Sequence, residues 1–242
     1  MFSVYRKEIT GFLNTLIAYL VMIVFITFIG LFMWVFTDSN VMDAGFSDME
    51  SLFTFGPIAF LLLIPAVTMR SFAEEKKDGT IELLMTKPLT DWQIILGKYF
   101  ASFSLVAVAL APTLVYYFSI YSLGNPVGNI DSAAVFSSYI GLLLLGGVFT
   151  SIGLLASSLT SNQIFSFILS LIICYFFYDG LSRIADLNLW EGSRAFITSF
   201  SLSYHYDALS KGLIDSRNLV YFISITLLML LSSNLVLGSR KW

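Results

Sequence analysis

The sequence predicts an all-α integral membrane protein with six transmembrane helices. Its 242 residues are 57% hydrophobic and only 12% charged, whereas about a quarter of the residues in an ordinary soluble domain are charged. Charged side chains are absent from five long runs, which are Ile9–Thr37, Ser51–Met69, Tyr99–Ile130, Ser132–Tyr178 and Asn218–Ser239. Since about 20 apolar residues suffice for a helix to cross the hydrocarbon core, these runs predict spans. The ten-residue alternation of a membrane β-barrel is not seen in them.

The number of spans follows from the lengths of these runs. The fourth run has 47 residues, enough for two crossings joined by a turn near Ser157–Asn162. The six predicted spans are about 12–36, 51–69, 99–122, 133–157, 163–181 and 218–237, within one domain of residues 1–242. We expect the first span to be retained, because its run is too long for a signal peptide and no A-x-A site follows it.

The distribution of basic residues predicts the orientation in the membrane. With the N-terminus in the cytoplasm, nine basic residues fall on the inner side: Arg6, Lys7, Arg70, Lys76, Lys77, Lys87, Lys98, Arg240 and Lys241. The outer side carries only four, all in the longest loop, where charge has least influence on topology: Arg183, Arg194, Lys211 and Arg217. The sequence therefore predicts that both termini are cytoplasmic.

The most charged stretch of the chain lies between the second and third spans. Nine of the 29 Lys, Arg, Asp and Glu residues fall between Arg70 and Asp91. Asp78-Gly79 is suited to end one helix, and Thr80 to cap a short second helix with Glu82 in its first turn. Pro88 ends that helix, and Thr90–Gln93 fits a capping box for the next. The pattern leaves two interpretations open: an ordinary solvated loop, or a short helix presented to a cytosolic partner.

Two further stretches suggest how the spans pack. Span 4 has small residues at four-residue spacing, among them Gly146, Gly147 and Gly153, which favour close helix packing over a substrate path. The polar segment 181–216 contains spaced apolar and aromatic residues, which indicate short amphipathic helices at the outer interface. A plain extracellular loop is the alternative for this segment.

The residues for several kinds of catalysis are missing. The sequence contains no Walker-type G-x-x-x-x-G-K-[ST] motif. One histidine, His205, and one cysteine, Cys174, cannot form the usual zinc sites. No ionisable residue occurs within the apolar runs before Asp179, whereas proton- or ion-coupled carriers usually hold one at mid-depth. We therefore expect neither an enzyme nor a bound cofactor or metal, and no nucleic-acid partner.

Residues 70–98, RSFAEEKKDGTIELLMTKPLTDWQIILGK, resemble the corresponding segment in permease subunits of type-2 ABC transporters. That pattern runs roughly R-x-F-A-x-E-x-x-x-G-T-x-E-x-L-L-x-x-P-[VL]-[ST]-x-x-x-[IL]-x-x-G-K. The matching positions are Arg70, Phe72, Ala73, Glu74 or Glu75, Gly79, Thr80, Glu82, Leu83, Leu84, Pro88, Gly97 and Lys98. The stretch Tyr204–Phe222 is also similar to the family, and looks especially like the permease of the gliding-motility ABC system.

The resemblance implies the ABC-2 permease fold, and it implies that transport and ATP hydrolysis are carried out by different subunits. A separate ATPase subunit would bind and hydrolyse ATP. Two permease copies, or this permease and a related membrane subunit, would pair in the inner membrane among its lipids. The segment 181–216 would form short re-entrant helices. A coupling helix at about Thr80–Thr86 would place Ile81, Leu83 and Leu84 in a groove of the ATPase, with Glu82 at its rim. Arg70, Glu74 and Glu75 would stiffen the connection to span 2. A non-transporting scaffold driven by the same ATPase is the alternative function.

Overall fold

The structure, a computed structural model, describes residues 1–36, 40–41, 48–85, 89–186 and 194–239, excluding the side chains of 83–85. All regular structure in this part of the chain is helical, as predicted. The long helices are α2 (Leu16–Trp34), α3 (Glu50–Thr68), α6 (Asp91–Leu110), α8 (Ser132–Leu159), α9 (Gln163–Tyr175) and α13 (Ser216–Gly238). Together with their helical extensions they give six helices long and apolar enough to cross a membrane. The predicted number of spans is therefore confirmed.

Shorter helices connect or extend these six. They are α1 (Phe2–Asn14), α4 (Arg70–Lys77), α5 (Thr80–Met85), α7 (Leu114–Leu123), α10 (Leu181–Asp186), α11 (Arg194–Thr198) and α12 (Leu202–Ser210). A 3₁₀ turn at Ala111–Thr113 joins α6 to α7, and a π-helical turn at Phe176–Gly180 joins α9 to α10.

The first span begins later than the sequence predicted. The prediction placed its start at about residue 12, but residues 2–14 form the separate helix α1. Thr15 breaks the helix because its backbone is extended (φ −105°, ψ 144°), and its hydroxyl donates to the Phe12 carbonyl at 3.0 Å. The polar triplet Arg6, Lys7 and Glu8 lies within α1, so this helix is amphipathic, and it packs on α6.

Side-chain caps set the beginning of four spans. Thr90 Oγ1 accepts from the Gln93 amide, and the Gln93 side chain accepts from the Thr90 amide. This is the predicted capping box, and it begins α6. The side chains of Asp131, Asn162 and Asp215 likewise accept from amides in the first turns of α8, α9 and α13. Such caps satisfy amides that have no partner within the helix.

Helix α8 is the centre of the molecule. It contacts α3, α6, α9, α12 and α13. Within an apolar stretch of 18 residues in each span, 78% of α8 is buried inside the protein, against 22% for each of the last two spans. Its inward face joins the main apolar core through residues such as Leu142, Phe149 and Ile152, which are fully buried. The last two spans therefore leave most of their apolar surface for lipid or another subunit.

The segment before the last span folds against the core. Tyr206 and Leu209 of α12 are buried, and Ser137 Oγ of α8 donates to the Leu209 carbonyl at 2.6 Å. Ser138 Oγ donates to the Ser210 carbonyl at 3.1 Å. Two serines of α8 thereby cap the carboxyl end of α12. The predicted short helices are present, and α12 is packed more deeply than a plain external loop would be.

Candidate functional site

The predicted coupling segment forms a pair of short helices at the end of the second span. Helix α4 continues from α3 and ends at Lys77, and Gly79 (φ +70°) turns the chain into α5. Only glycine adopts this left-handed backbone without strain. Thr80 was expected to cap α5 but is its first residue, and its hydroxyl instead donates to the Glu75 carbonyl at 3.4 Å.

The predicted site residues are divided between these two helices. Arg70, Glu74 and Glu75 lie on α4, and Ile81 and Glu82 on α5. Glu82 is exposed, whereas Ile81 packs partly against the chain's own apolar cluster around Phe72 and Leu154. Leu83 and Leu84 belong to α5 by their backbone, but their side chains lie outside the described residues, as does Pro88 entirely.

A buried ion cluster connects α4 to two other helices. Lys98 on α6 is 1% exposed. Its ammonium lies 2.8 Å from Glu8 Oε1 of α1 and 3.0 Å from Glu75 Oε2 of α4, and it donates to the Ser71 carbonyl at 2.6 Å. The Phe72 ring lies 5.0 Å below it. A buried ammonium is strongly unfavourable unless it is paired and hydrogen-bonded, and here both conditions are met.

Lys7 completes this cluster and balances its charge. Its ammonium donates to Glu75 Oε1 at 2.9 Å. Partial burial opposes the charge on Lys7, but the hydrogen bond and the charge of Glu75 outweigh it and raise the pKa of Lys7 above its ordinary value. Two ammonium groups therefore face two carboxylates. We call Lys7, Glu8, Glu75 and Lys98 the ion cluster.

Gly97 explains how α1 comes near enough to reach Lys98. A Cβ atom at Gly97 would lie 2.9 Å from Val4 Cβ and 3.1 Å from the Met1 carbonyl oxygen. Both distances are shorter than ordinary carbon contacts, so any larger residue would push α1 away from α6. Gly97 thus allows the approach, and Lys98, one residue later, forms the ion pair with Glu8.

Helix α4 is also fastened to the end of α8. Met69, at the start of α4, offers no capping side chain. Ser157 Oγ of α8 accepts from the Phe72 and Ala73 amides at 2.9 and 3.0 Å and donates to the Met69 carbonyl at 3.0 Å. It acts as an N-cap supplied by another helix. Near the other end of α4, the Lys76 ammonium donates to the Ser158 carbonyl.

Sequence reasoning missed the roles of Glu8, Ser71 and Ser157, and used Lys98 only as a motif position. Glu8 and Lys98 are 90 residues apart, so nothing local indicates that they pair. One signal was present: Lys98 immediately precedes a charge-free run of 32 residues. A lysine at such a boundary is a candidate for partial burial.

The three glycines predicted for helix packing lie on buried positions of α8. A Cβ atom at Gly146 would lie 2.8 Å from Val106 Cγ1, and one at Gly147 would lie 2.9 Å from the Tyr99 hydroxyl. The approach is closest at Gly153, where a Cβ atom would lie 2.0 Å from Thr68 Oγ1. Whether these contacts are needed for assembly stays a prediction.

A cavity of about 540 Å³ opens at the end of the spans opposite α4. Its walls come from the beginnings of α3 and α8 and from α12, and include Asp48, Glu50, Asp131, Asp207, Tyr178 and Tyr206. Among the described residues of this lining, Lys211 is the one basic residue. We call it the outer cavity, following the orientation predicted from the charge distribution.

Comparison with known proteins gives two kinds of match. The model of a family described as "ABC-2 family transporter protein" matches residues 37–237. The chain is also similar to the "Probable multidrug ABC transporter permease YbhR" of Escherichia coli, in strain K12 and in O157:H7, with 36% identity over 102 residues. That similarity covers 42% of this chain and only 26% of either relative, about a quarter of the relatives' length.

Proposed function

Because the chain belongs to the ABC-2 family of transporter proteins, we propose that it is the membrane-spanning permease subunit of an ABC transporter, driven by ATP hydrolysis in a separate ATPase subunit. The family match and the six apolar helices fit a multi-pass protein of the bacterial inner membrane. The observation that carries the proposal is the ion cluster, because it connects the segment next to the predicted coupling helix with α1 and α6.

The proposed mechanism begins at α5, which docks on the ATPase. Closure of the ATPase displaces α5, and the short turn at Gly79 passes this displacement to α4. Helix α4 is held to α6 and α1 through Lys98 and to α8 through Ser157. Buried, fully paired contacts of this kind resist separation. The cytoplasmic ends of spans 2, 3 and 4 therefore move together rather than one by one.

We propose that the transported solutes are lipophilic cations, in line with a multidrug-type transporter. The outer cavity combines carboxylates with the aromatic side chains of Tyr178 and Tyr206. Carboxylates attract a positive charge, and aromatic faces bind organic cations. The relatives carry the words "multidrug ABC transporter permease" in their names, and this supports the same class of solute here.

Two finer assignments remain proposals. A role in gliding motility rests on the resemblance of Tyr204–Phe222 alone. A second permease copy is proposed as the partner in the membrane, since the last two spans expose large apolar residues such as Ile164, Phe165 and Leu235. A scaffold that uses the ATPase without moving a solute is the alternative function.

ATP-driven flux of a lipophilic cation separates transporter from scaffold. Inverted vesicles containing the permease and its partner ATPase should accumulate radiolabelled tetraphenylphosphonium when ATP is added. The variant with Leu83→Asp and Leu84→Asp should lose both flux and ATPase binding, because burying an unpaired carboxylate in an apolar interface costs more than the roughly 2–7 kcal/mol of an unbonded neutral polar group. Glu82→Ala, which removes only an exposed charge, should weaken coupling more than binding.

The matched control is Lys77→Ala, at an exposed position at the end of α4, which should leave flux and binding unchanged. Full flux and an intact complex in the double variant would contradict the coupling role of α5. ATPase stimulation with no flux of this or any other labelled solute would favour the scaffold.

A further inference from the structure

A second, smaller cavity lies beside the ion cluster, at the end of the spans that the charge distribution predicts to be cytoplasmic. It has a volume of about 260 Å³ and is enclosed by α1, the beginning of α2 and the junction of α3 with α4. One part of its wall is apolar and includes Phe12, Ile17 and Val67. These residues lie where α1 meets the first span and where the second span ends. The cavity is therefore at the level of lipid headgroups.

Three buried polar atoms of residues that line this cavity have no hydrogen-bond partner in the described part of the chain, and one of them, Glu75 Oε2, already faces the Lys98 ammonium in an ion pair at 3.0 Å. The other two are Arg70 Nε and Ser71 Oγ, and Ser71 is only 5% exposed. Leaving a buried donor or acceptor unsatisfied costs about 1–3 kcal/mol, and proteins rarely do so. Both atoms can donate a hydrogen bond, so the cavity suits an occupant rich in acceptor oxygens.

The charges around the cavity point to a zwitterionic occupant. Six charged residues line it, and four of them form the ion cluster and are paired with one another. The remaining two are Arg70 and Glu74, for which no ion pair occurs among the described residues. One unpaired positive charge and one unpaired negative charge, four residues apart on α4, match a ligand that carries both signs.

We propose that this cavity binds the headgroup of a zwitterionic phospholipid with a primary ammonium group, such as phosphatidylethanolamine. The phosphate accepts hydrogen bonds from Arg70 and Ser71, since a guanidinium binds phosphate oxygens well. The ammonium group lies toward Glu74. Ile17 of α2 lines the cavity, and on the same helix Leu16 and Leu20 are 82% and 55% exposed and offer apolar surface to the acyl chains. The bound lipid connects α1 and α2 with α4.

Lipid-dependent thermal stability of the purified full-length permease tests the site. Phosphatidylethanolamine should raise the unfolding midpoint at about tenfold lower concentration than phosphatidylglycerol with the same acyl chains, a preference of about 1.4 kcal/mol. Arg70→Gln should lose the protection by both lipids. Glu74→Gln, at a half-exposed position, should bind both lipids equally. If Arg70→Gln does not fold, this second variant still tests the proposal.

The control is Arg217→Gln, an exposed arginine at the start of α13, which should keep the preference. Equal protection by the two lipids in the unmodified protein would overturn the proposal, as would a preference that persists in Glu74→Gln. Protection by inorganic phosphate equal to that by phosphatidylethanolamine would assign the site to free phosphate instead of lipid. Because the permease is measured alone, none of these outcomes depends on the proposed coupling to the ATPase.

Discussion

Lys98 shows how a single residue can hold three helices together. Its ammonium is buried and lies between carboxylates of α1 and α4. Removing one member of such a buried group leaves the opposite charges without compensation, which is more harmful than removing the whole group. The ion cluster therefore makes the relative position of α1, α4 and α6 specific.

We expect Lys98→Met to destabilise the protein by about 3–5 kcal/mol, because Glu8 and Glu75 would then face each other with only Lys7 nearby. The triple variant Lys98→Met with Glu8→Gln and Glu75→Gln removes the uncompensated charge and should recover most of that stability. It should not recover stimulation of the ATPase, since the connection between α4 and α6 is lost. Thermal unfolding in detergent and ATPase assays of the complex measure the two effects.

Lys77→Met is the control for this series, because Lys77 is exposed at the end of α4. It should change neither stability nor stimulation. If Lys98→Met unfolded at the same temperature as the unmodified protein, the ion cluster would not contribute to stability. A triple variant with full stimulation would show that coupling takes another route.

At the scale of elements, helix α3 continues through two prolines. Pro57 and Pro65 lie inside it, and a proline leaves the carbonyl four residues earlier without its helical donor. For Pro57 that carbonyl belongs to Phe53, and the Tyr206 hydroxyl of α12 donates to it at 2.7 Å. Within a membrane, a neighbouring helix can satisfy the backbone groups that a proline frees. The structure identifies the neighbour.

We expect Tyr206→Phe to cost about 1–3 kcal/mol, because it leaves the buried Phe53 carbonyl unsatisfied. The same substitution should cost much less in a Pro57→Ala background, where the amide of residue 57 can donate to that carbonyl. Thermal unfolding of the four proteins of this double-mutant cycle gives the interaction energy directly. Strictly additive effects would show that the hydroxyl does not compensate for the proline.

The elements differ in how much of them could be predicted from the sequence. Spans were predictable because a charge-free run of 20 residues is a local property, and the caps at Thr90 and after Lys77 are local as well. The separation of α1 from the first span was missed, because the apolar run already includes Phe12 and Leu13, which precede the break at Thr15. The contacts made by Ser157 and Lys98 were missed because their partners are distant in sequence and become neighbours only through packing.

At the scale of the whole molecule, the two ends of the spans have different chemistry. The end formed by α1, α4 and α5 contains the paired charges of the ion cluster. The other end contains an open cavity with several carboxylates and one lysine. The first end also holds most of the basic residues of the described chain, and the positive-inside rule associates such residues near the membrane with the cytoplasm: Arg6, Lys7, Arg70, Lys76, Lys77 and Lys98. The proposed directions of ATPase coupling and solute release both depend on this orientation.

Cysteine labelling tests the orientation. Cys174 is the only cysteine and is fully buried, and it can be removed as Cys174→Ala so that one introduced thiol reports alone. In that background, Lys77→Cys and Ser239→Cys should react with a membrane-impermeant maleimide only after the cells are opened. Leu213→Cys, at a position 64% exposed, and Asp43→Cys should react in intact cells. The difference arises because an ionic reagent does not cross the hydrocarbon core. Reaction of Lys77→Cys in intact cells would reverse the orientation, place α5 outside the cell, and exclude its contact with a cytosolic ATPase.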